Sequence, residues 1–134
     1  MSSNESMEMY LETVFILENS YGHAHGVDIA KRLGVSKPGV TKAINYLKDQ
    51  GYVNKQRYGS ITLTEKGRAL SKEIYINHNI IKKFLEHSLN LPAEQASIDA
   101  CKIEHILSDD MLEAIKNYLE KNNIEIKNIH ALEE

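Results

Sequence analysis

Apolar residues recur at helical spacing along most of this chain, and the breaks between the runs mark out its elements. Over residues 9–17, Tyr10, Val14 and Leu17 share one helical face with Leu11 and Phe15 alongside, and the pattern stops at Tyr21-Gly22. A short second helix is predicted over residues 27–33, ended by Gly34 in a C′ position. The stretch VSKPGVTKAINYLKDQGY then supplies Ser36 as an N-cap, Pro38 in the first turn, and Val40, Ile44 and Leu47 on one face, with Gly51 closing the helix. Two short alternating segments, 52–56 and 60–63, flank Arg57-Tyr58-Gly59 and read as a small hairpin. Thr64-Glu65 opens a long amphipathic helix through Leu70, Ile74, Ile81 and Leu85, with Pro92 marking its end, and two more helices are predicted over 93–107 and 109–120.

Helix, helix, glycine turn, helix, hairpin is the order of a winged helix-turn-helix, and Leu33-Gly34-Val35-Ser36 provides the sharp change of direction. The expected fold class is therefore mainly α: a winged helix-turn-helix with a β-hairpin wing over 1–68, then an all-helical domain over 69–134. On the third helix Ser36, Lys37, Pro38, Thr41, Lys42 and Asn45 stand where base edges or phosphates of a major groove would be met. Lys55, Arg57 and Tyr58 occupy the wing, where phosphate or minor-groove contact is expected. The same helices could instead form a protein-interaction domain.

Charge favours the nucleic-acid reading. The chain of 134 residues carries a net charge of only −3, but between Lys31 and Arg68 nine Lys or Arg stand against two acids, Asp49 and Glu65. From Ser71 onward seven bases stand against twelve acids. A basic module suited to a polyanion is thus joined to an acidic one. The 42% hydrophobic and 26% charged content is ordinary for a globular protein, and no run approaches the roughly 20 apolar residues of a membrane span. The opening MSSNESMEMYLE has no basic segment followed by an apolar run, so no signal peptide is expected. With a single cysteine, a cytoplasmic location is expected, with no membrane partner.

That cysteine lies in ACKIEH. Cys101, Glu104 and His105 fall at i, i+3 and i+4, so on a helix they point the same way. The thiol could be a small core residue, a nucleophile or a metal ligand. Thiolate, carboxylate and imidazole together form a divalent transition-metal set. Three ligands from one helix leave coordination positions for others; Met9 and Glu12 lie three apart in the first helix, and His78 lies in the long one. Each also has a plainer reading, as packing for Met9, a solvated charge for Glu12, and a surface or core imidazole for His78.

The stretches MEMYLETVFIL and IEHILSD, with GVDIAKRLGVSKPGVTKAINYLKDQGYV and ITLTEKGRAL between them, resemble the diphtheria-toxin-repressor and manganese-transport-regulator family of metal-dependent transcription regulators. The resemblance covers nearly the whole chain and rests on two remote motifs in the expected order. It implies a short member without the SH3-like domain. Met9, Cys101, Glu104 and His105 match the ligands of the iron-responsive branch, while Glu12 and His78 match positions that the manganese branch uses. Where an iron-type ancillary site would have a glutamate and a second histidine, this chain has Lys82 and Ser97.

The resemblance implies a homodimer that binds a double-stranded, pseudo-palindromic operator when loaded with metal, and it implies no small organic substrate. Met111, Leu112, Ile115 and Leu119 are candidates for the dimer interface or for intrachain core. Thioether and thiolate are softer than two carboxylates, so Fe(II) is expected ahead of Mn(II), with Co(II), Ni(II) and Zn(II) able to bind in vitro. Glu12 and His78, with Glu104 bridging, could form a second site. Two other classes are distinguishable: a metal-independent winged-helix factor, in which Cys101 and His105 are packing, and an enzyme with Cys101 as nucleophile and His105 as base. The enzyme reading lacks a third orienting group and oxyanion donors.

Overall fold

The computed structural model describes residues 3–56 and 59–125, and the chain divides into two compact units, residues 1–72 and 73–134. Arg57 and Tyr58, expected at the wing tip, lie outside the described residues.

In the first unit, α1 (Ser3–Tyr21), α2 (Gly26–Leu33) and α3 (Lys37–Asp49) pack on a three-stranded antiparallel sheet in the order β1-β3-β2, built from Ala24–His25 (β1), Val53–Lys55 (β2) and Ser60–Leu63 (β3). The helix faces predicted for α1 and α3 are buried, Leu11, Val14, Ile44 and Leu47 being at most 1% exposed, and Ile29 of α2 and Val53 of β2 complete the core between them. Burying a side chain of this size contributes roughly 1.5–3 kcal/mol. Gly34 takes the left-handed conformation (φ 67°, ψ 35°) that lets the chain leave α2 and re-enter α3 after two residues. Ser36 then caps α3, its hydroxyl oxygen accepting from the Gly39 N–H at 3.2 Å.

The hairpin is the expected wing, with Val53 opposite Leu63 and Lys55 opposite Ile61. The third strand goes beyond what the sequence pattern predicts. β1 is two residues long, too short for an alternation signal, and exists because Ala24 and His25 pair with Ile61 and Ser60.

After the wing comes α4 (Glu65–Leu89), whose 25 residues span about 37 Å at about 1.5 Å each. Its start is held against the turn before β2: Thr64 donates to the Gly51 carbonyl at 2.6 Å, and Lys66 donates to the Gln50 carbonyl at 2.9 Å. Gly67 sits so close to Tyr52 that a Cβ there would overlap the Tyr52 carbonyl oxygen. The helix ends before Pro92, where Asn90 turns left-handed (φ 55°) and the Leu91 N–H reaches back to the Leu85 carbonyl.

In the second unit the remainder of α4 packs with α5 (Ala93–Ile103) and α6 (Asp109–Lys121) around Ile80, Ile81, Leu85, Ala96, Ala100, Ile115 and Leu119. Ile115 and Leu119 are therefore intrachain core, not interface; of the four interface candidates, Met111 is exposed and Leu112 half-buried. Helix α5 stops four residues earlier than its apolar pattern predicts. Ser108 must be extended (ψ 158°) to cap α6, and the chain makes its turn over Glu104–Ile106, where the Ile106 N–H bonds the Ile103 carbonyl. Among the described residues no helix is long and apolar enough to cross a membrane.

Candidate metal centre and nucleic-acid interface

In the second unit the last turn of α5 and the turn that follows it carry the cysteine motif. Glu104 is the residue after α5 but keeps helical dihedrals (φ −57°, ψ −28°), so it still stands over Cys101 despite the early helix end. The ligand atoms of Cys101, Glu104 and His105 lie within 4.8 Å of one another. Glu104 stands between two imidazoles. One of its oxygens is 3.2 Å from His105 Nε2 and the other is 3.4 Å from His78 Nδ1, reaching in from α4. The Glu104 and His105 side chains are only 1% and 2% exposed.

His78 is oriented from two sides. Its Nε2 is 3.4 Å from the Ser97 hydroxyl, and Tyr75, three residues earlier on α4, stacks beside the ring. With Nε2 directed at Ser97, Nδ1 is directed at Glu104. Ser97 thus serves here as a partner of His78.

A carboxylate this deeply buried between imidazoles requires compensating positive charge. Carboxylate, two imidazoles and a thiol also make a donor set that borderline divalent transition ions accept. The residues present fit a metal centre. In the first unit Met9 and Glu12 lie three apart on α1, Met9 half-buried and Glu12 buried. The Thr13 hydroxyl donates to the Met9 carbonyl at 2.8 Å.

The same unit presents the basic surface. Lys37, Pro38, Thr41, Lys42 and Asn45 are exposed along α3 while Val40, Ala43, Ile44 and Leu47 are buried, so the helix separates cleanly into a core face and an outer face. Ser36 is exposed as well, but its oxygen is engaged as the cap of α3. The Thr41 hydroxyl donates to the Lys37 carbonyl at 3.1 Å. Lys55 is exposed on β2. Tyr46, 47% exposed beside Asn45, is a further surface residue of α3 that charge patterning does not single out; an aromatic residue outside the apolar stripe is its signal.

Two family models match, one after the other. Residues 3–61 match the N-terminal DNA-binding domain of iron-dependent repressors, and residues 64–125 match their metal-binding and dimerisation domain. The chain belongs to the iron-dependent repressor family. It is a metal-dependent transcriptional regulator of the group that includes the iron repressors and manganese regulators, and not an enzyme.

Within this family it is 42% identical over 120 residues to an HTH-type transcriptional regulator of Methanocaldococcus jannaschii, covering 88% of this chain and 95% of that one. It is 32% identical to the regulator MntR of Lysinibacillus sphaericus, covering 94% of this chain and 92% of the relative. It is also 32% identical to the iron-dependent repressor IdeR of Mycobacterium tuberculosis, covering 80% of this chain but only 46% of the relative. Among solved structures, the manganese regulator SloR superposes with a TM-score of 0.75 at 29% identity, over 93% of this chain and 56% of that one. The chain thus spans nearly the whole of the manganese-type relative and about half of the iron-type one.

Proposed function

We propose that this protein is a metal-activated repressor that binds a pseudo-palindromic operator as a homodimer, with residues 1–68 contacting DNA and residues 69–134 binding metal and forming the dimer. Fe(II) is its cellular metal, with Mn(II) second. The observation that carries the reading is Glu104, a buried carboxylate between His78 and His105 with the Cys101 thiol at hand, in a chain whose other unit is a winged helix.

Cys101, Glu104 and His105 would hold the ion, with Met9 as the second sulfur donor, and Glu12 and His78 as further ligands that share Glu104. A bound ion supplies positive charge beside the buried carboxylate and a rigid link among its donors. Glu104 presents its two oxygens to two different imidazoles, which supports a shared or bridging role. Ser97 and Tyr75 keep the His78 ring turned for that purpose. Because Met9 and Glu12 belong to α1 and the other donors to the second unit, ligation would join the two halves and order the N-terminal helix. Outward from the core of the first unit, Lys37, Thr41, Lys42 and Asn45 read the major groove, with Lys55, Arg57 and Tyr58 on the backbone beside it. A two-fold dimer would place two such helices about one DNA turn apart.

The deciding experiment is selection of bound duplex from a random pool, run anaerobically with Fe(II), with Mn(II), and with strong chelator. Recovery of one inverted-repeat sequence with metal and none with chelator is the expected result. The same sequence recovered in chelator would make the protein a metal-independent winged-helix factor.

A further inference from the structure

Glu18 is a charged side chain that neither the metal set nor the DNA surface uses. It lies one turn before the end of α1, with its side chain only 9% exposed. One carboxylate oxygen accepts the Leu63 N–H of β3 at 2.7 Å, and the other pairs with the Arg68 guanidinium in the first turns of α4. These partners are 45 and 50 residues away in the chain.

The sheet explains why β3 needs this bond. Ile61 pairs with Ala24 of β1, but β1 stops there. Two residues further on, Leu63 directs its N–H to the same edge, where no strand continues. A buried backbone donor without a partner is costly. The Glu18 carboxylate takes the place of the missing strand residue, and Arg68 balances its charge. A charge-assisted bond of this kind is stronger than an ordinary ladder bond.

We infer that Glu18 is a positioning residue for DNA binding, fixing the wing relative to α1 through the Leu63 N–H. The path is short. Leu63 pairs with Val53, and two register steps along, about 7 Å, Ile61 pairs with Lys55 on the wing. Nearer the tip Ser60 and Ile61 are held by their pairs with His25 and Ala24, so the bond from Leu63 to Glu18 is the anchor at the base of the hairpin and sets its angle together with them. Helix α1, tied here to the wing, also carries Met9 and Glu12 towards its other end, roughly two turns away. Whatever orders that helix therefore also orders the wing. This inference rests on the proposal that the wing contacts DNA.

The test is a double-mutant cycle between Glu18→Gln and Lys55→Ala, on metal-loaded full-length protein and the duplex recovered by the wild type. Glu18→Gln should weaken binding about tenfold or more, and should lower the slope of log affinity against log salt by roughly 0.9 for each phosphate that the wing ceases to neutralise. Metal affinity of the DNA-free protein, followed by Co(II) titration, should stay within about twofold of wild type. In the Glu18→Gln background Lys55→Ala should cost almost nothing further, because the wing is already displaced. Additive losses, or an unchanged salt slope, would make Glu18 a stabilising residue only and overturn the inference. A Lys55→Ala single variant with full affinity and an unchanged slope would instead remove the wing from the DNA interface, and the inference with it. If Glu18→Gln does not fold, Glu18→Asp, which keeps the charge but withdraws it by one methylene, enters the same cycle under the same criteria.

Discussion

The Glu104 carboxylate and the His105 imidazole lie 3.2 Å apart with almost no solvent access, although they are neighbours in a turn and not on a regular helix. Glu104 keeps helical dihedrals just past the end of α5, and His105 follows it in the turn, with both side chains buried. Glu104→Gln keeps the shape and removes the charge. Two imidazoles and a thiol would then face a neutral amide, and affinity for Mn(II) or Co(II) should fall by at least about tenfold, as is typical even for loss of an outer-shell partner. Calorimetric titration checks this, and equal affinity for the two proteins would exclude Glu104 as a ligand.

Cys101 offers a spectroscopic test. A Co(II)–thiolate bond gives a near-ultraviolet charge-transfer band, which Cys101→Ala should abolish, while the metal needed for half-maximal DNA binding should rise about tenfold or more. Met9→Asp combined with Cys101→Glu replaces both sulfur donors with oxygen and should shift preference toward Mn(II) relative to Co(II). Identical cobalt spectra with and without the thiol would return Cys101 to a packing role.

Lys42 stands on the outer face of α3, exposed between buried Val40 and Ile44. If it neutralises a phosphate, Lys42→Ala should reduce the slope of log affinity against log salt by roughly 0.9 while leaving sequence preference alone. If it meets a base edge, preference should relax at one position at a cost of about 1–3 kcal/mol. Filter binding across a salt series on single-base variants of the duplex separates the two, and no change in either would take Lys42 out of the interface.

Gly67 tests how the wing is joined to α4. An added Cβ would run into the Tyr52 carbonyl, so the start of α4 would have to move away from the turn that Thr64 and Lys66 hold. Gly67→Ala should destabilise the folded protein by about 2 kcal/mol or more, even though alanine is the better helix former. Urea denaturation of the metal-free protein measures it; a stability equal to or above wild type would mean that the helix accommodates the methyl by a small shift.

What could be read in the sequence was what short-range forces decide. The faces of α1, α3 and α4 follow from spacing, because residues three and four apart share a helix face wherever the helix sits. The turn at Gly34, the Ser36 cap and the hairpin before α4 follow from local backbone chemistry, as does the clustering of Cys101 with Glu104 and His105. Features that depend on a distant partner were not legible there. β1 is a strand only because β3 lies beside it, and two residues carry no period of their own. Ile115 and Leu119 could be placed on one face of α6, but only the packing against α4 and α5 made that face core. Glu18 reads as an ordinary charge near a helix end until Leu63 and Arg68 arrive from 45 and 50 residues away. The approach of His78 to Glu104 is expected through the family resemblance and not from spacing, because α4 and α5 must be packed before the two side chains can meet. Periodicity records which way a side chain points along its own element; the identity of what it points at is set by long-range packing, where loop closure and burial act together.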